Sequence, residues 1–269
     1  MPQKSKKNKS PLANKKLIVF DMDGTLTPSK APMRSDMVKF LTLLLKNKSV
    51  AVIGGGSYKQ FQRQFIAKAQ FPKLLLPKLS LFPVCSTAFY HYANGWKKVY
   101  AKNFSSVQKK KIFAAFRKTF QKNHYNHPQK IYGKVIEDRK SQITFSAVGQ
   151  DAVEILGVKK GLKVKERWNK HSDVRLKLMK SLKKLLPEFT VRMGGLTSID
   201  ITKQGIDKAY GLRQIEKNLR VPIRDMLFVG DAIYPGGNDY AVIKTGVDYI
   251  KVKGPEETKK IIRRLISFS

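Results

Sequence analysis

The sequence has few acidic residues: 19 Asp and Glu stand against 54 Lys and Arg among 269 residues, which gives a net charge of +35. It has one cysteine, Cys85, which excludes an internal disulfide and fits a reducing cytoplasm. Its longest apolar runs, such as residues 17–20, are far shorter than the roughly 20 residues that cross a bilayer. Hydrophobic residues make up 42%, enough for a folded core. These features predict a soluble cytoplasmic protein that does not act at a membrane.

The positive charge is spread along the whole chain. The first sixteen residues carry six lysines and no acid, and residues 1–14 are interpreted as a basic disordered tail. A nucleic-acid partner is one hypothesis for such a charge. It is disfavoured because the sequence contains no zinc-finger spacing and no aromatic RNA-binding pattern. General basic composition and attraction of small anionic substrates are the alternatives.

Hydrophobic patterning predicts two domains of different architecture. Short apolar runs alternate with helical patterns at both ends of the chain, which is typical of a doubly wound parallel sheet in an α/β fold. A helix followed by two strands occurs twice in the middle, which indicates an inserted α+β domain. We therefore predict a core domain over 15–98 and 205–269 and an inserted cap domain over 99–204.

The few acids are grouped where strands end. Asp21 and Asp23 follow the first apolar run directly, with Gly24 in a position to make a tight turn. Because the carboxyl ends of parallel strands form the ligand crevice of such sheets, two carboxylates there suit a divalent cation and a phosphoryl acceptor. An ordinary Asp- and Gly-rich turn is the alternative.

A second acidic group follows the apolar run 226–229. Asp231 is placed to complete an oxygen shell for Mg²⁺, while Asn238 and Asp239 are further ligands or cap the next helix. Lys208 lies one helix and one strand earlier, and either balances this negative charge or is an exposed helical lysine. A glycine run, Gly54–Gly56, precedes a predicted helix and suits phosphate binding by backbone amides.

Together and in this order, these segments resemble the haloacid dehalogenase (HAD) superfamily of aspartyl-phosphate enzymes. The resemblance is to its subclass IIB, and within that to the eukaryotic-type phosphomannomutases, over about residues 16–267. The carrying stretches are 20–27, 52–55, 136–139, 194–200, 205–208 and 230–239. The resemblance implies a Rossmann-like core with an inserted cap of type C2b. It also implies a phosphorylated sugar as substrate and Mg²⁺ as cofactor. A homodimer through the cap is a further hypothesis.

The resemblance also implies roles for individual residues. Asp21 is expected to be the nucleophile, Asp23 the general acid and base, and Lys208 the group that steadies the phosphate. Expected contacts to the metal and the substrate come from two further sets. The expected metal ligands are Asp21, Asp23 through its carbonyl, Asp231 and Asp239. The expected substrate contacts are Gly55, Gly56, Arg139, Gly195, Ser198 and Asp200.

Three positions depart from the phosphomannomutase pattern. Ser57 stands where those enzymes have an acid, Gln150 where they have a second phosphate-binding arginine, and Ala232 where they have a polar residue. Because a mutase must hold a sugar bisphosphate in two orientations, the missing arginine favours a sugar phosphatase. A phosphomannomutase is the alternative, and a non-catalytic polyanion-binding protein is the third hypothesis. Cys85 is interpreted as a semi-buried thiol rather than a nucleophile, because no basic residue accompanies it in sequence.

Overall fold

The computed structural model describes residues 12–28, 30–170 and 172–267. Most of the predicted basic tail, residues 1–11, lies outside the described residues, and its last three residues form a 3₁₀ turn, Leu12–Asn14. Immediately after that turn, Lys15 is buried and pairs with Asp248 at 2.6 Å. Within the described residues, no helix is long and apolar enough to cross a membrane.

The strands of the described residues form two sheets. The first has seven strands in the order β11-β10-β1-β2-β3-β4-β5, and the second has four in the order β6-β7-β9-β8. The strands are β1 Leu17–Asp21, β2 Ser49–Ile53, β3 Leu79–Phe82, β4 Ala88–Tyr92, β5 Trp96–Ala101, β6 Ile136–Asp138, β7 Gln142–Ser146, β8 Phe189–Met193, β9 Ser198–Lys203, β10 Met226–Gly230 and β11 Asp248–Lys251.

Nine α-helical segments accompany the strands within the part of the chain that the structure describes. They are α1 Ser35–Asn47, α2 Tyr58–Phe61, α3 Ala67–Ala69, α4 Pro83–Ser86, α5 Ser106–Lys122, α6 Ala152–Asn169, α7 Ser172–Leu185, α8 Lys208–Leu219 and α9 Pro255–Ser267. A π-helical stretch, Gln62–Ile66, joins α2 to α3. Further 3₁₀ turns occur at Lys73–Lys78, Ile223–Asp225 and Tyr240–Thr245.

Helices cover both faces of the large sheet. The side chains of each strand alternate between these faces, so they enter two hydrophobic clusters. Ile18 and Phe20 of β1 belong to one hydrophobic cluster, which includes residues of α1 and α9. Leu17 and Val19 belong to another, which includes residues of α8. Strands β11, β10, β1, β2 and β3 are parallel, and the hairpin β4–β5 adds two antiparallel strands. The predicted α/β fold with a doubly wound parallel sheet is confirmed.

The second sheet is entirely antiparallel, and α5 and α7 pack against it through their own hydrophobic cluster. Its strands all lie between residues 136 and 203, within the predicted cap. The predicted boundary at residue 98 falls inside β5, whose pairing with β4 continues to Ala101. The chain therefore leaves the large sheet after residue 101. We use "cap" below for residues 102–204 and "core" for the remainder.

Helix α6 was not predicted from the sequence. Gly157 and Gly161 interrupt its helical pattern, and Gly157 has non-helical angles (φ 76°, ψ 164°) that kink the segment. Glycine lowers helix propensity by about 1 kcal/mol relative to alanine, so the pattern is weak in sequence. The helix matters because its C-terminal half faces the cavity between cap and core.

Candidate active site

Parallel pairing brings the two acidic groups to one edge of the large sheet. Strands β1 and β10 are neighbours in register, with Phe20 opposite Val229, so the residues that follow them emerge side by side. Gly24 permits this approach: its φ is +92°, and a Cβ there would lie 2.5 Å from Oδ2 of Asp231. The sequence thus folds locally so that the first acidic turn packs directly on the second.

Three carboxylates and one ammonium form a buried cluster at this edge. Asp21, Asp231 and Asp239 each place a carboxylate oxygen within 4.8 Å of the others. Lys208, the first residue of α8, donates from Nζ to Oδ1 of Asp21 at 2.5 Å and also to Oδ1 of Asp239. The side chains of Asp21 and Lys208 are each 5% exposed, and that of Asp239 is fully buried. Lys208 is therefore a cluster residue, and its interpretation as an exposed lysine is wrong.

Asp239 serves this cluster rather than capping a helix. Its Oδ2 accepts the backbone amide of Ala232 at 3.1 Å, and its Oδ1 accepts Lys208. It makes no side-chain cap for the 3₁₀ turn that follows. Asn238 lines the cavity next to the cluster. Of the two alternatives left by the sequence for Asp239, the structure supports the cluster.

The cluster carries more negative charge than its own cation offsets. Burial raises the pKa of Asp21 well above its ordinary value, and the carboxylates of Asp239 and Asp231 add to the effect against Lys208. Burial and Asp239 also raise the pKa of Asp231. Burial opposes the charge of Lys208, but Asp21 and Asp239 outweigh it and raise the lysine pKa. A further cation at this point would favour the ionised carboxylates.

This donor set fits a hard divalent cation. Mg²⁺ prefers carboxylate oxygens and binds with only a few of them. The Oδ2 atom of Asp21 is buried and has no hydrogen-bond partner among the described residues, so a ligand position is open to a cation. Asp21, Asp231 and Asp239 are therefore the residues of this cluster that can hold the metal. The carboxylate of Asp23 is not part of it.

Asp23 lies beside the cluster and is held by two donors. Its Oδ1 accepts the backbone amide of Lys30 at 2.6 Å, and its Oδ2 accepts Nε2 of Gln60 at 3.3 Å. Gln60 is itself bonded to Gln64 at 2.8 Å. Sequence reasoning missed Gln60, because a lone glutamine in a helical segment carries no signal of its own. Asp23 is also one of the residues that line the cavity.

The glycine run after β2 forms the wall of the cavity beside the acidic cluster. Gly55 and Gly56 line the cavity, and a Cβ on Gly56 would lie 2.6 Å from the side-chain amide of Gln60. Ser57 caps α2, since its hydroxyl accepts the amide of Gln60 at 3.3 Å. The departure from the phosphomannomutase pattern at Ser57 thus has a structural role here.

Arg139 reaches from the cap to this glycine wall. Its guanidinium donates to Oε2 of Glu137 at 2.7 Å, to the carbonyl of Gly55 at 2.6 Å and to Oε1 of Gln150 at 3.1 Å. Gln142 also donates to the carbonyl of Gly55, at 3.1 Å. Cap and core are therefore in contact across the cavity, and Arg139 holds them together rather than pointing freely at a ligand.

The remaining predicted substrate contacts also lie on the cap side. Gly195, Ser198 and Asp200 all line the cavity. Oδ1 of Asp200 accepts the hydroxyl of Thr144 at 2.8 Å, and burial raises its pKa against the effect of Arg139. The loop at Gly195 is anchored by Arg175, which donates to the Gly195 carbonyl. The structure therefore brings all predicted site residues to one cavity or its immediate wall.

Gln150 occupies the place where the resemblance gives an arginine. Its Oε1 accepts both Arg139 and Nζ of Lys30, and its backbone carbonyl accepts Lys30 at 2.6 Å. Burial, Lys165 and Arg139 lower the pKa of Lys30 to about 7. Lys30 and Lys165 were not predicted as site residues, because nothing in a sequence with 54 Lys and Arg distinguishes them.

The resulting cavity has a volume of about 450 Å³ and is lined by both domains. Its core side carries the acidic cluster and the glycine wall. Its cap side carries cations and hydroxyls. That volume lies in the range of sites that enclose small ligands.

A family profile and similar curated proteins agree on one family. A sequence profile described as eukaryotic phosphomannomutase matches residues 37–268. The chain is 26% identical over 254 residues to the phosphomannomutase of Saccharomyces cerevisiae, covering 93% of this chain and 94% of that protein. It is 27% identical over 266 residues to a probable phosphomannomutase of Caenorhabditis elegans, covering 96% and 98%.

Solved structures agree on the fold. An IMP-bound Plasmodium falciparum IMP-nucleotidase mutant superposes with a TM-score of 0.69 at 16% identity, over 94% of this chain and 68% of that one. A haloacid dehalogenase-like hydrolase from Bacteroides thetaiotaomicron superposes with a TM-score of 0.59 at 15% identity, over 93% and 99%. At these identities the likeness concerns architecture, and it confirms the predicted HAD-type fold.

Proposed function

Since the chain belongs to the eukaryotic phosphomannomutase family, we propose that it transfers a phosphoryl group between two hydroxyls of a hexose phosphate, with Mg²⁺ as cofactor. The observation that carries this proposal is the buried cluster of Asp21, Asp231, Asp239 and Lys208 at the floor of a cavity covered by the cap. On sequence grounds alone, the glutamine at position 150 in place of an arginine favours a phosphatase. The family match supports the mutase alternative more than hydrolysis.

In the first step, a carboxylate oxygen of Asp21 attacks the phosphorus atom of the bound phosphate ester. A new oxygen–phosphorus bond forms to give an acyl phosphate, and the ester bond to the sugar oxygen breaks. The leaving oxygen takes a proton from Asp23, which lines the same cavity. Lys208 already touches Oδ1 of Asp21, so positive charge is in place where negative charge develops.

In the second step, the free hydroxyl of a hexose monophosphate attacks the acyl phosphate and its proton goes to Asp23, which gives a hexose bisphosphate. The bisphosphate then reorients in the cavity, so that its other phosphate enters the first step. The carboxylate of Asp21 is released, so atoms and protons balance over the cycle. The cap must keep water out between the two steps, because water would otherwise take the phosphoryl group. The contact of Arg139 with the carbonyl of Gly55 supports this closed arrangement.

Mg²⁺, when bound, supplies charge neutralisation and orientation of the transferring phosphoryl group. Asp21, Asp231 and Asp239 are the carboxylates that would hold it. The resemblance adds the carbonyl of Asp23 as a further ligand.

Phosphorus NMR tests the proposal. Mannose 1-phosphate, supplied with Mg²⁺ and a hexose bisphosphate activator, should convert to the 6-phosphate without release of inorganic phosphate. Asp21→Asn should abolish this conversion while leaving the fold intact, because an amide cannot form the acyl phosphate. Asp173→Asn, at an exposed position of α7, is the matched control and should behave as the unaltered protein. Conversion at an undiminished rate in Asp21→Asn would refute the assigned nucleophile.

Hydrolysis is the second candidate, and Gln150 is the observation that favours it. A glutamine in place of an arginine weakens the hold on a non-transferring phosphate, so water rather than sugar could resolve the acyl phosphate. The same NMR experiment separates the two functions. Stoichiometric inorganic phosphate with no 6-phosphate would replace the mutase by a sugar phosphatase.

A further inference from the structure

The cap side of the cavity concentrates positive charge opposite the acidic cluster. Lys165 of α6, Arg175 of α7, Arg139 and Arg192 all line it, and Lys30 joins them from the core. Four of these five have partners within the protein: Arg139 and Lys30 as described above, Arg192 with Asp207 at 3.3 Å, and Arg175 with the carbonyl of Gly195. Lys165 is the exception.

Lys165 is buried without a partner. It is 2% exposed, it lines the cavity, and it makes no hydrogen bond or ion pair with any residue that the structure describes. An ammonium in such a place is unfavourable unless an opposite charge or several acceptors surround it. Burial lowers the pKa of Lys165, and Arg139 adds to this effect, so the opposing effect of the Asp23 carboxylate does not offset the burial of the ammonium.

Two polar groups on the same side of the cavity also lack a hydrogen-bond partner among the described residues. Asn169, one helical turn after Lys165, lines the same cavity, and its Oδ1 is buried without a partner among the described residues. Nε of Arg175 is likewise buried and unpartnered in that part of the chain. Residues four apart share a helix face. The C-terminal half of α6 thus presents an amine and an amide to the cavity, with a free guanidinium N–H of α7 on the same wall.

We propose that Lys165 is a specificity-determining residue that binds the second anionic group of the substrate, the phosphate that is not being transferred. This rests on the proposed function, which needs two phosphate positions in one cavity. Three N–H groups of Arg139 are engaged within the protein, and Gln150 carries no charge. Of the five cations opposite the acidic cluster, Lys165 is the one that has no hydrogen-bond or ion-pair partner among the described residues. In this chain a residue of α6, rather than residue 150, supplies the charge.

The test compares the affinity for glucose 1,6-bisphosphate with that for glucose 1-phosphate by titration calorimetry. It is carried out with Mg²⁺ on an Asp21→Asn background, so that the phosphoryl group is not transferred. Lys165→Met removes the charge and keeps the length of the side chain, while Lys165→Arg keeps the charge. Lys163→Met is the matched control, because Lys163 lies on the same helix but is exposed.

Without substitution at residue 165, the bisphosphate should bind more tightly than the monophosphate. Lys165→Met should lower this affinity ratio by about 30-fold, the smaller end of the loss when one partner of a buried charge pair is removed. Lys165→Arg should retain most of the ratio, and Lys163→Met all of it. A ratio unchanged in Lys165→Met, or no preference for the bisphosphate in the parent protein, would overturn the inference.

Thermal unfolding separates binding from a structural role. Because Lys165→Met removes an unpaired buried charge, its melting temperature should equal or exceed that of the parent. A lower melting temperature with equal losses for both ligands would show that Lys165 supports the fold, which contradicts the proposal. If the unsubstituted enzyme proves to be a phosphatase while the affinity ratio still depends on Lys165, the proposed mutase function fails and the assignment of Lys165 stands.

Discussion

Replacing Lys208 with methionine tests how the acidic cluster is held together. Nζ of Lys208 contacts both Asp21 and Asp239, and all three side chains are 5% exposed or less. The amine also lies over the ring of Phe228, 5.8 Å from its centroid. Methionine keeps the apolar stem in this packing and removes the charge, so the loss in stability reports on the charge.

The expected loss follows from the burial of the two carboxylates. At an effective dielectric constant near 20, two unit charges 4 Å apart attract each other by about 4 kcal/mol, so two contacts set an upper bound of about 8 kcal/mol. Protonation of one carboxylate limits the loss, because burial already raises the pKa of Asp21. We therefore expect about 3–5 kcal/mol, the range for breaking a buried ion pair on one side.

Metal dependence makes the prediction specific. With its carboxylates ionised, the cluster of Asp21, Asp231, Asp239 and Lys208 has two net negative charges, and removing Lys208 leaves three. A divalent cation should therefore stabilise the Lys208→Met protein more than the unsubstituted one, because it replaces part of the missing charge. Urea unfolding followed by circular dichroism, in EDTA and in saturating Mg²⁺, measures both free energies.

Lys217→Met is the matched control, since Lys217 is exposed near the end of the same helix, and it should change stability by less than about 0.5 kcal/mol. A loss below about 1 kcal/mol for Lys208→Met in EDTA would refute the argument, because it would mean that Lys208 is not a required counter-charge. An equal stabilisation of both proteins by Mg²⁺ would contradict the placement of the metal beside Lys208.

Three further predictions concern groups around the site and the core. Burial, with Asp200 adding, raises the pKa of Cys85 to about 12, so this half-buried thiol should react with iodoacetamide at pH 8 much more slowly in native protein than in the unfolded chain; similar rates would contradict the raised pKa. A side-chain hydrogen bond from Lys259 at 2.7 Å lowers the pKa of Asp36. Its stabilisation is present above the ordinary carboxyl pKa and is lost as pH falls. Asp36→Asn should therefore cost about 0.5 kcal/mol at pH 7 and less below pH ~4 in urea unfolding, and a constant difference would be inconsistent with this pair. Gly24→Ala would place a Cβ 2.5 Å from Oδ2 of Asp231, so it should lower the melting temperature and weaken its increase on adding Mg²⁺; a normal response to Mg²⁺ would argue against Asp231 as a ligand.

The acidic cluster was predictable from the sequence, because a carboxylate that follows a buried parallel strand lies at a known edge of the sheet. The apolar runs that end at Asp21 and Gly230 are β1 and β10, and their parallel pairing follows from the alternation of strands and helices. Carboxylates after two such neighbouring strands must share an edge. Lys208 could be proposed for the same reason, although in this basic chain only the fold distinguishes it from an exposed lysine.

The cap side was predictable only in part. Arg139 directly follows β6 and Asp200 stands on β9, and both strands have a clear pattern, whereas Lys165 lies on a helix that two glycines conceal. Whether a lysine faces a cavity depends on the helix phase after the kink at Gly157 and on how the cap sits over the core. Neither is encoded in a local pattern. The same holds for Gln60, whose contact with Asp23 joins residues 37 positions apart.

The shortage of acids makes the cluster informative in physical terms. A protein with 19 acidic residues among 269 could keep its carboxylates apart at little cost, yet three of them lie within 4.8 Å of one another in a buried place. Like charges at that distance repel, and burial increases the penalty, as the raised pKa of Asp21 and of Asp231 indicates. On the opposite wall, Lys165 is buried without an anion. The two walls are each unfavourable alone and are complementary to one bound species, a phosphorylated molecule with a divalent cation. Positive charge across the rest of the surface adds a long-range attraction for that molecule but cannot decide where it binds.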